Sequence, residues 1–120
     1  MRAGTRGHRL LLMGSVLLAL VLIGAYASVA GPSDGGGAPQ ARVEIKDFAY
    51  QPATLTVRTG TTVTWVNHDD ELHTVTASAG RFASPGLEHD ETFFQRFAEA
   101  GTYTYFCALH PRMTATIIVQ

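Results

Sequence analysis

The stretch Gly101-Thr-Tyr-Thr-Tyr-Phe-Cys107 alternates two kinds of side chain and ends on the single cysteine of the sequence. In an extended strand, successive side chains point to opposite faces, so Tyr103, Tyr105 and Cys107 share one face. An aromatic row of this kind faces a core, and the cysteine continues that row. The pattern therefore predicts a β-strand whose last inward residue is a thiol shielded from water.

The same period of two recurs on both sides of this strand. Apolar or β-branched alternation predicts further strands within residues 43–48, 55–57, 63–66, 73–77, 93–97 and 113–119. Residues 88–99 are the least regular, because their acids and paired phenylalanines also fit one helical turn. Short strands separated by Gly and Pro turns predict an all-β sandwich or barrel.

The first 40 residues have a different composition. Three arginines within residues 1–9 precede an apolar run from Leu10 to Tyr26, which small residues follow as far as Ala30. This layout predicts either a signal peptide or an uncleaved membrane anchor over residues 1–30, since an apolar run extended to Ala30 is long enough to cross a bilayer. Residues 31–40, rich in Gly and Pro, predict a flexible linker before a folded domain over residues 41–120. Either alternative places that domain outside the cytoplasm, in the periplasm or an equivalent compartment.

The charge of the sequence is distributed unevenly. Residues 31–120 carry six basic and ten acidic side chains, a net charge of −4. With no basic stripe, nucleic acid is excluded as an expected partner. A single cysteine also excludes an intramolecular disulfide.

The residues after the predicted strand carry the chemistry. Cys107-Ala-Leu-His110-Pro-Arg-Met113 offers a thiolate, an imidazole and a thioether within seven residues. Two His, one Cys and a distant axial Met form the ligand set that suits copper, whereas zinc gains little from a thioether. A buried cysteine alone is an ordinary core residue, but a core explanation requires neither His110 nor Met113. The motif therefore predicts three of the four ligands of a copper site, and the second imidazole must come from elsewhere in the sequence.

Three histidines of the predicted domain could supply that imidazole. His73 begins an alternating segment and can point inward at one end of the sandwich. His68 belongs to a polar run with the character of an exposed loop, and His89 lies between two acids without alternation. His73 is therefore the predicted fourth ligand.

These motifs resemble the cupredoxin family of small blue copper proteins, which includes plastocyanin, pseudoazurin, azurin and amicyanin. The resemblance covers nearly all of residues 41–120, and its motifs are Phe48-x-x-x-Pro52, Leu55-Thr-Val57, the run 60–67, His73-Thr-Val75 and the run 101–110. It implies a Greek-key β-sandwich with one type 1 copper ion held by His73, Cys107, His110 and Met113. The two-residue gap between His110 and Met113 is most similar to amicyanin. Many members have asparagine after the first histidine, where this chain has Thr74.

The resemblance also implies a function. It indicates a monomeric electron-transfer protein that exchanges one electron with redox partners such as a c-type cytochrome, a dehydrogenase or a terminal reductase. Leu109, Pro111 and Pro85 are expected to form an apolar docking patch around His110. The alternative is a periplasmic copper carrier that uses the same ligands. An enzyme is not expected, because copper oxidases and nitrite reductases resemble tandem domains with further His-rich copper sites.

Two substitutions test the choice of ligands. Cys107→Ser should abolish the intense visible absorption of the copper-loaded protein, because that absorption arises from the copper–thiolate bond. His68→Ala should leave the absorption nearly unchanged. Bleaching by His68→Ala, measured in the same visible spectrum, would contradict the assignment of His73.

Overall fold

A computed structural model describes residues 36–120. The apolar segment predicted for residues 1–30 and the first half of the linker predicted for residues 31–40 lie outside the described residues. Residues 36–39 are exposed and have no regular secondary structure, and the first strand begins at Gln40. No helix long and apolar enough to cross a membrane is found in the described part of the chain.

Eight strands account for the regular structure of residues 36–120. In chain order they are β1 (Gln40–Lys46), β2 (Ala49–Gln51), β3 (Thr54–Val57), β4 (Thr61–Asn67), β5 (Thr76–Ala77), β6 (Thr92–Phe97), β7 (Gly101–Phe106) and β8 (Thr114–Val119). The strands form two four-stranded sheets, and residues 36–120 contain no helix. The predicted all-β sandwich is confirmed. The segment 88–99, for which a helical turn was the alternative, contains strand β6.

The chain crosses repeatedly between the two sheets. One sheet has the order β2-β1-β4-β6 and the other the order β3-β8-β7-β5. Two pairs are parallel, β1 with β4 and β3 with β8, and the remaining pairs are antiparallel. Strand β7 lies between β8 and β5, so its end at Phe106 is adjacent to Thr76 of β5. This pairing brings the residues before β5 close to the residues after β7.

The core between the sheets is built around Trp65 of β4, which is fully buried. Its ring has aromatic neighbours within 6.4 Å of its centroid: Phe82, Phe93, Phe97 and Tyr105. Tyr105 of β7 and Cys107 face the same core, with exposed fractions of 1% and 0%. Burial raises the pKa of Tyr105 to about 12, so its phenol is neutral at physiological pH. Tyr105 and Cys107 of the row predicted on β7 therefore lie in the core, whereas Tyr103 is half-buried and packs against it.

The first predicted strand ends earlier than the sequence pattern indicates. Strand β1 stops at Lys46, and Asp47 and Phe48 form a turn into β2, both with a φ of 54°. Phe48 is 48% exposed, so it is not a core residue of β1. The extension of this strand to Phe48 was wrong, because two successive residues with positive φ reverse the chain direction there.

The segment predicted as a strand over residues 73–77 is also shorter in the structure. Only Thr76 and Ala77 form β5, while His73 makes a single bridge to Leu87. Thr74 and Val75 are buried next to His73, so burial does not alternate. Their N–H groups donate to side chains, the sulfur of Cys107 and the hydroxyl of Ser84, instead of to a neighbouring strand. Hydrogen bonds to side chains thus replace the strand-to-strand backbone hydrogen bonds that the sequence pattern predicts at Thr74 and Val75.

Truncating a core residue should destabilise the sandwich strongly. Ile117 of β8 is fully buried, so Ile117→Ala should lower the free energy of unfolding by about 2–5 kcal/mol through lost burial and a residual cavity. Phe94→Ala is the matched control, because Phe94 is 70% exposed and its removal leaves no internal cavity. Urea unfolding of both variants checks this, and equal losses of stability would contradict the core described above.

Candidate metal centre

Two loops at one end of the sandwich deliver the candidate ligands. The loop between β4 and β5 carries His73, and the loop between β7 and β8 carries Cys107, His110 and Met113. Since β5 and β7 are neighbours in one sheet, these loops emerge side by side. The β5–β7 pairing is therefore the reason why residues 34 positions apart meet.

Three donor atoms converge between these loops. The Sγ atom of Cys107 lies 3.8 Å from Nδ1 of His73 and 3.5 Å from Nδ1 of His110. The three donor atoms all lie within 4.8 Å of one another. His73 and Cys107 are fully buried, whereas His110 is half-buried. One ion could contact all three atoms, and His110 would be the most exposed of its three ligands.

The backbone of the second loop is folded back on itself. The N–H of His110 donates to the carbonyl of Cys107 at 3.2 Å, and the N–H of Met113 donates to the carbonyl of His110 at 2.8 Å. The N–H of Cys107 donates to the carbonyl of Met113 at 3.1 Å and closes the loop. Met113 is buried, and together with His110 it lines an apolar surface hollow. The short loop thus holds all three of its candidate ligands at one end of the sandwich.

Thr74 joins the two ligand loops. Its N–H donates to Sγ of Cys107 at 3.3 Å, and its Oγ1 accepts the N–H of Ala108 at 2.8 Å. The hydroxyl therefore makes a direct hydrogen bond between the two ligand loops. Oγ1 also lies 2.9 Å from the hydroxyl of Thr76, which holds it in place. An N–H aimed at the sulfur stabilises a thiolate, the form of cysteine that binds metal.

A carboxylate supports His73 from the opposite side. Nε2 of His73 lies 2.8 Å from Oδ2 of Asp69, so the ring donates Nε2–H there and Nδ1 is left free to face the sulfur. Burial raises the pKa of Asp69, but the N–H groups of Phe48 and Asp47 and the His73 ring lower it below its usual range. Asp69 is therefore an anion beside the candidate ligand.

The other two histidines of the described residues lie outside the cluster. His68 follows β4 and is paired with Glu44 of β1. His89 is 52% exposed, with Asp70 at 3.5 Å and Asp90 at 3.4 Å. Both imidazoles have carboxylate neighbours at the surface, and neither is near the sulfur of Cys107.

Sequence reasoning missed two residues of the site. Phe48 packs edge-on against both candidate imidazoles, with ring centroids 5.1 Å from His73 and 5.1 Å from His110. Asp69 looked like one acid among several in a polar run, and nothing in the sequence distinguishes it from Asp70. The apolar hollow at His110 is lined by Phe48, Pro111, Arg112 and Met113. Leu109 is 52% exposed nearby in the chain, while the expected Pro85 is exposed but does not line the hollow.

The fold and this cluster define a class of protein. Residues 16–119 match the family model described as a cupredoxin-like domain. The chain belongs to the cupredoxin-like family, as its motifs predicted.

Particular relatives are similar over the folded domain. Amicyanin from Paracoccus denitrificans is 34% identical over 83 residues, which cover 65% of this chain and 63% of amicyanin. A purple cupredoxin from Nitrosopumilus maritimus is 31% identical with a TM-score of 0.62, covering 67% of this chain and 99% of that protein. A copper-containing nitrite reductase from Thermus scotoductus is 29% identical with a TM-score of 0.63, over 68% of this chain and 22% of the enzyme. The chain thus spans less than two thirds of the length of that amicyanin.

The donor set of the cluster fits copper. Two imidazole Nδ1 atoms face a thiol sulfur that already accepts one N–H, and a buried thioether lies on the same loop. Soft sulfur donors combined with imidazole favour copper over magnesium or calcium. A set of two imidazoles, one thiolate and one thioether also suits copper better than zinc. The described residues place His73, Cys107, His110 and Met113 in position for one copper ion.

Removing the Thr74 hydroxyl should loosen the link between the loops. Thr74→Ala leaves the Ala108 N–H without its acceptor, so the metal-free protein should lose about 1 kcal/mol of unfolding free energy. Thr74→Ser keeps the hydroxyl and should retain most of the stability. Chemical denaturation measures both variants, and equal losses would show that the methyl group rather than the hydrogen bond matters.

Proposed function

We propose that this protein is a type 1 copper electron-transfer protein that works outside the cytoplasm. Its proposed ligands are His73, Cys107, His110 and Met113. The observation that carries the proposal is the convergence of the Cys107 sulfur with two imidazole nitrogens, all within 4.8 Å. The membership of the chain in the cupredoxin-like family supports the same conclusion.

Copper bound there would supply a one-electron Cu(II)/Cu(I) couple. The contribution of the protein is a ligand frame that changes little between the two states. His73 is held by Asp69, and Cys107 is held by the Thr74 N–H and by the closed backbone of the second loop. Because these contacts are between protein groups, they would restrain the donors whether or not copper is bound. A preorganised frame lowers the reorganisation that accompanies electron transfer, and groups around the ligands tune the potential.

The proposed route for the electron is through His110. This imidazole is half-buried and borders the apolar hollow, while His73 is enclosed. Phe48 and Leu109 are 48% and 52% exposed, so the surface at this end offers apolar area to a partner. We propose brief docking of a redox protein there, a c-type cytochrome, a dehydrogenase or a terminal reductase, by a monomer of this chain.

The proposed location follows from residues 1–30. Their charge and apolar pattern fit a signal peptide or an anchor, and either would export the domain. Mass determination of the native protein distinguishes the two, because cleavage removes the apolar run.

Two other functions can be set against this proposal. A copper carrier would use the same ligands, and the surface imidazoles with carboxylate neighbours at His68 and His89 favour it. An enzyme is less well supported, because four protein donors in one site would leave no open coordination position for a substrate.

The visible spectrum and the reduction potential of the copper-loaded protein test the proposal. Electron transfer requires an intense thiolate-to-Cu(II) absorption that disappears and returns on reversible reduction. A colourless protein that holds copper weakly, or one that cannot be reduced reversibly, would favour the carrier instead.

The axial role proposed for Met113 has its own test. Met113→Leu removes a donor that stabilises Cu(II) but keeps a buried apolar side chain, so copper should remain bound and the reduction potential should rise. Voltammetry measures the change. A lower potential after this substitution would be incompatible with Met113 as the axial ligand.

A further inference from the structure

One carboxylate receives three donors at the edge of the candidate metal centre. Oδ1 of Asp69 accepts the N–H of Asp47 at 2.7 Å, and Oδ2 accepts the N–H of Phe48 at 2.9 Å. Oδ2 is also 2.8 Å from Nε2 of His73. The side chain of Asp69 is only 11% exposed. Asp69 therefore connects the β1–β2 turn to a candidate ligand by direct hydrogen bonds.

The turn that Asp69 holds is one that Phe48 disfavours. Asp47 and Phe48 both have a φ of 54°, in the left-handed region, which Asp tolerates but which costs a residue such as phenylalanine about 1–2 kcal/mol. Two-residue turns of this kind favour Asn-Gly or Asp-Gly, and phenylalanine at the second position is unusual. Both N–H groups of the turn point at the same carboxylate. The anion thus compensates for the conformation by binding the two donors that the turn exposes.

The turn places the Phe48 ring against the candidate ligands. The ring meets His73 at an interplanar angle of 88° and His110 at 82°, and the two imidazole centroids are 5.0 Å apart. A single aromatic side chain therefore covers the edges of both imidazoles. Without this ring, water would reach the side of the buried His73.

We propose that Asp69 is a positioning residue of the metal centre. It holds His73 in the Nε2–H tautomer with Nδ1 free for copper, and through the Asp47–Phe48 turn it keeps the Phe48 ring over both imidazoles. A carboxylate that accepts Nε2–H makes the imidazole a stronger donor, which favours Cu(II). The effect on copper rests on the proposed function, whereas the hold on the turn exists in the metal-free protein.

The first experiment therefore uses metal-free protein. Hydrogen exchange of the Asp47 and Phe48 amides should be slow in the wild type. It should become about tenfold faster or more in Asp69→Ala, because bonds to a charged acceptor are lost. Asp70→Asn is the matched control: Asp70 is the fully exposed neighbour and should leave both rates unchanged. Rapid exchange of these two amides in the folded wild type would overturn the proposal, even if no Asp69 variant folds.

The second experiment measures copper. Asp69→Asn keeps the shape of the side chain but removes its charge, so it should weaken Cu(II) binding by about 10–100-fold. A tenfold loss of affinity for Cu(II), with the affinity for Cu(I) unchanged, corresponds to a rise of about 59 mV in the reduction potential. Asp70→Asn should move the potential much less, and Asp69→Glu should restore part of the loss. Equal shifts for Asp69→Asn and Asp70→Asn would overturn the positioning role.

Phe48→Ala distinguishes the effect of the Phe48 ring from the effect of the Asp69 charge. It leaves the contact between Asp69 and His73 but admits water to the imidazole edges, so the potential should fall. A rise would contradict the covering role of Phe48. If the wild-type protein forms no visible Cu(II)–thiolate band, the proposed function fails, while the amide exchange still decides whether Asp69 holds the turn.

Discussion

The metal centre depends on the two hydrogen bonds between Thr74 and the residues that directly follow β7, Cys107 and Ala108. One runs from the Thr74 N–H to the sulfur, and the other runs from the Ala108 N–H to the Thr74 hydroxyl. They continue the pairing of β5 with β7 beyond the point where the regular ladder stops. Because His73 directly precedes Thr74, fixing Thr74 against Cys107 also fixes the distance between an imidazole and the thiol. The shortness of β5 is thus a consequence of the site, since backbone donors are directed to side chains.

A second constraint acts from the opposite sheet. Asp69 lies in the loop after β4 and binds the turn that joins β1 to β2. The parallel pairing of β1 with β4 brings that turn beside the loop, since Ile45 is opposite Asn67. Asn67 stabilises the same loop, donating from Nδ2 to the carbonyls of Glu71 and Leu87 at 2.8 Å each. His73 is therefore held on one side by the sheet that carries the thiol and on the other by the sheet that carries Asp69.

The distribution of exposure is consistent with the proposed electron-transfer role. Among residues 36–120, Cys107, His73 and Met113 are buried, and His110 is the most exposed of the four candidate ligands. The exposed side chains around His110 are the apolar Phe48, Leu109 and Pro111 and the charged Arg112, while acids concentrate in the loops around Asp70 and Glu88. Such an arrangement suits the short-lived docking proposed above, because an exposed apolar area of modest size supports weak binding.

The amino-acid sequence by itself determined the all-β architecture and the identity of the candidate donors. Side-chain alternation in β4, β7 and β8 is a local property, and Cys107, His110 and Met113 lie close together along the chain, so neither required knowledge of the packing. Local pattern failed at residues 47–48 and 73–75, where the backbone is held by contacts with groups distant in sequence. The tertiary structure alone decided that Asp69 rather than Asp70 supports His73, that Phe48 covers the imidazoles, and that the Thr74 hydroxyl joins the loops. These outcomes depend on which strands are neighbours in the two sheets, and hydrogen bonds between distant residues leave no periodic trace in a sequence.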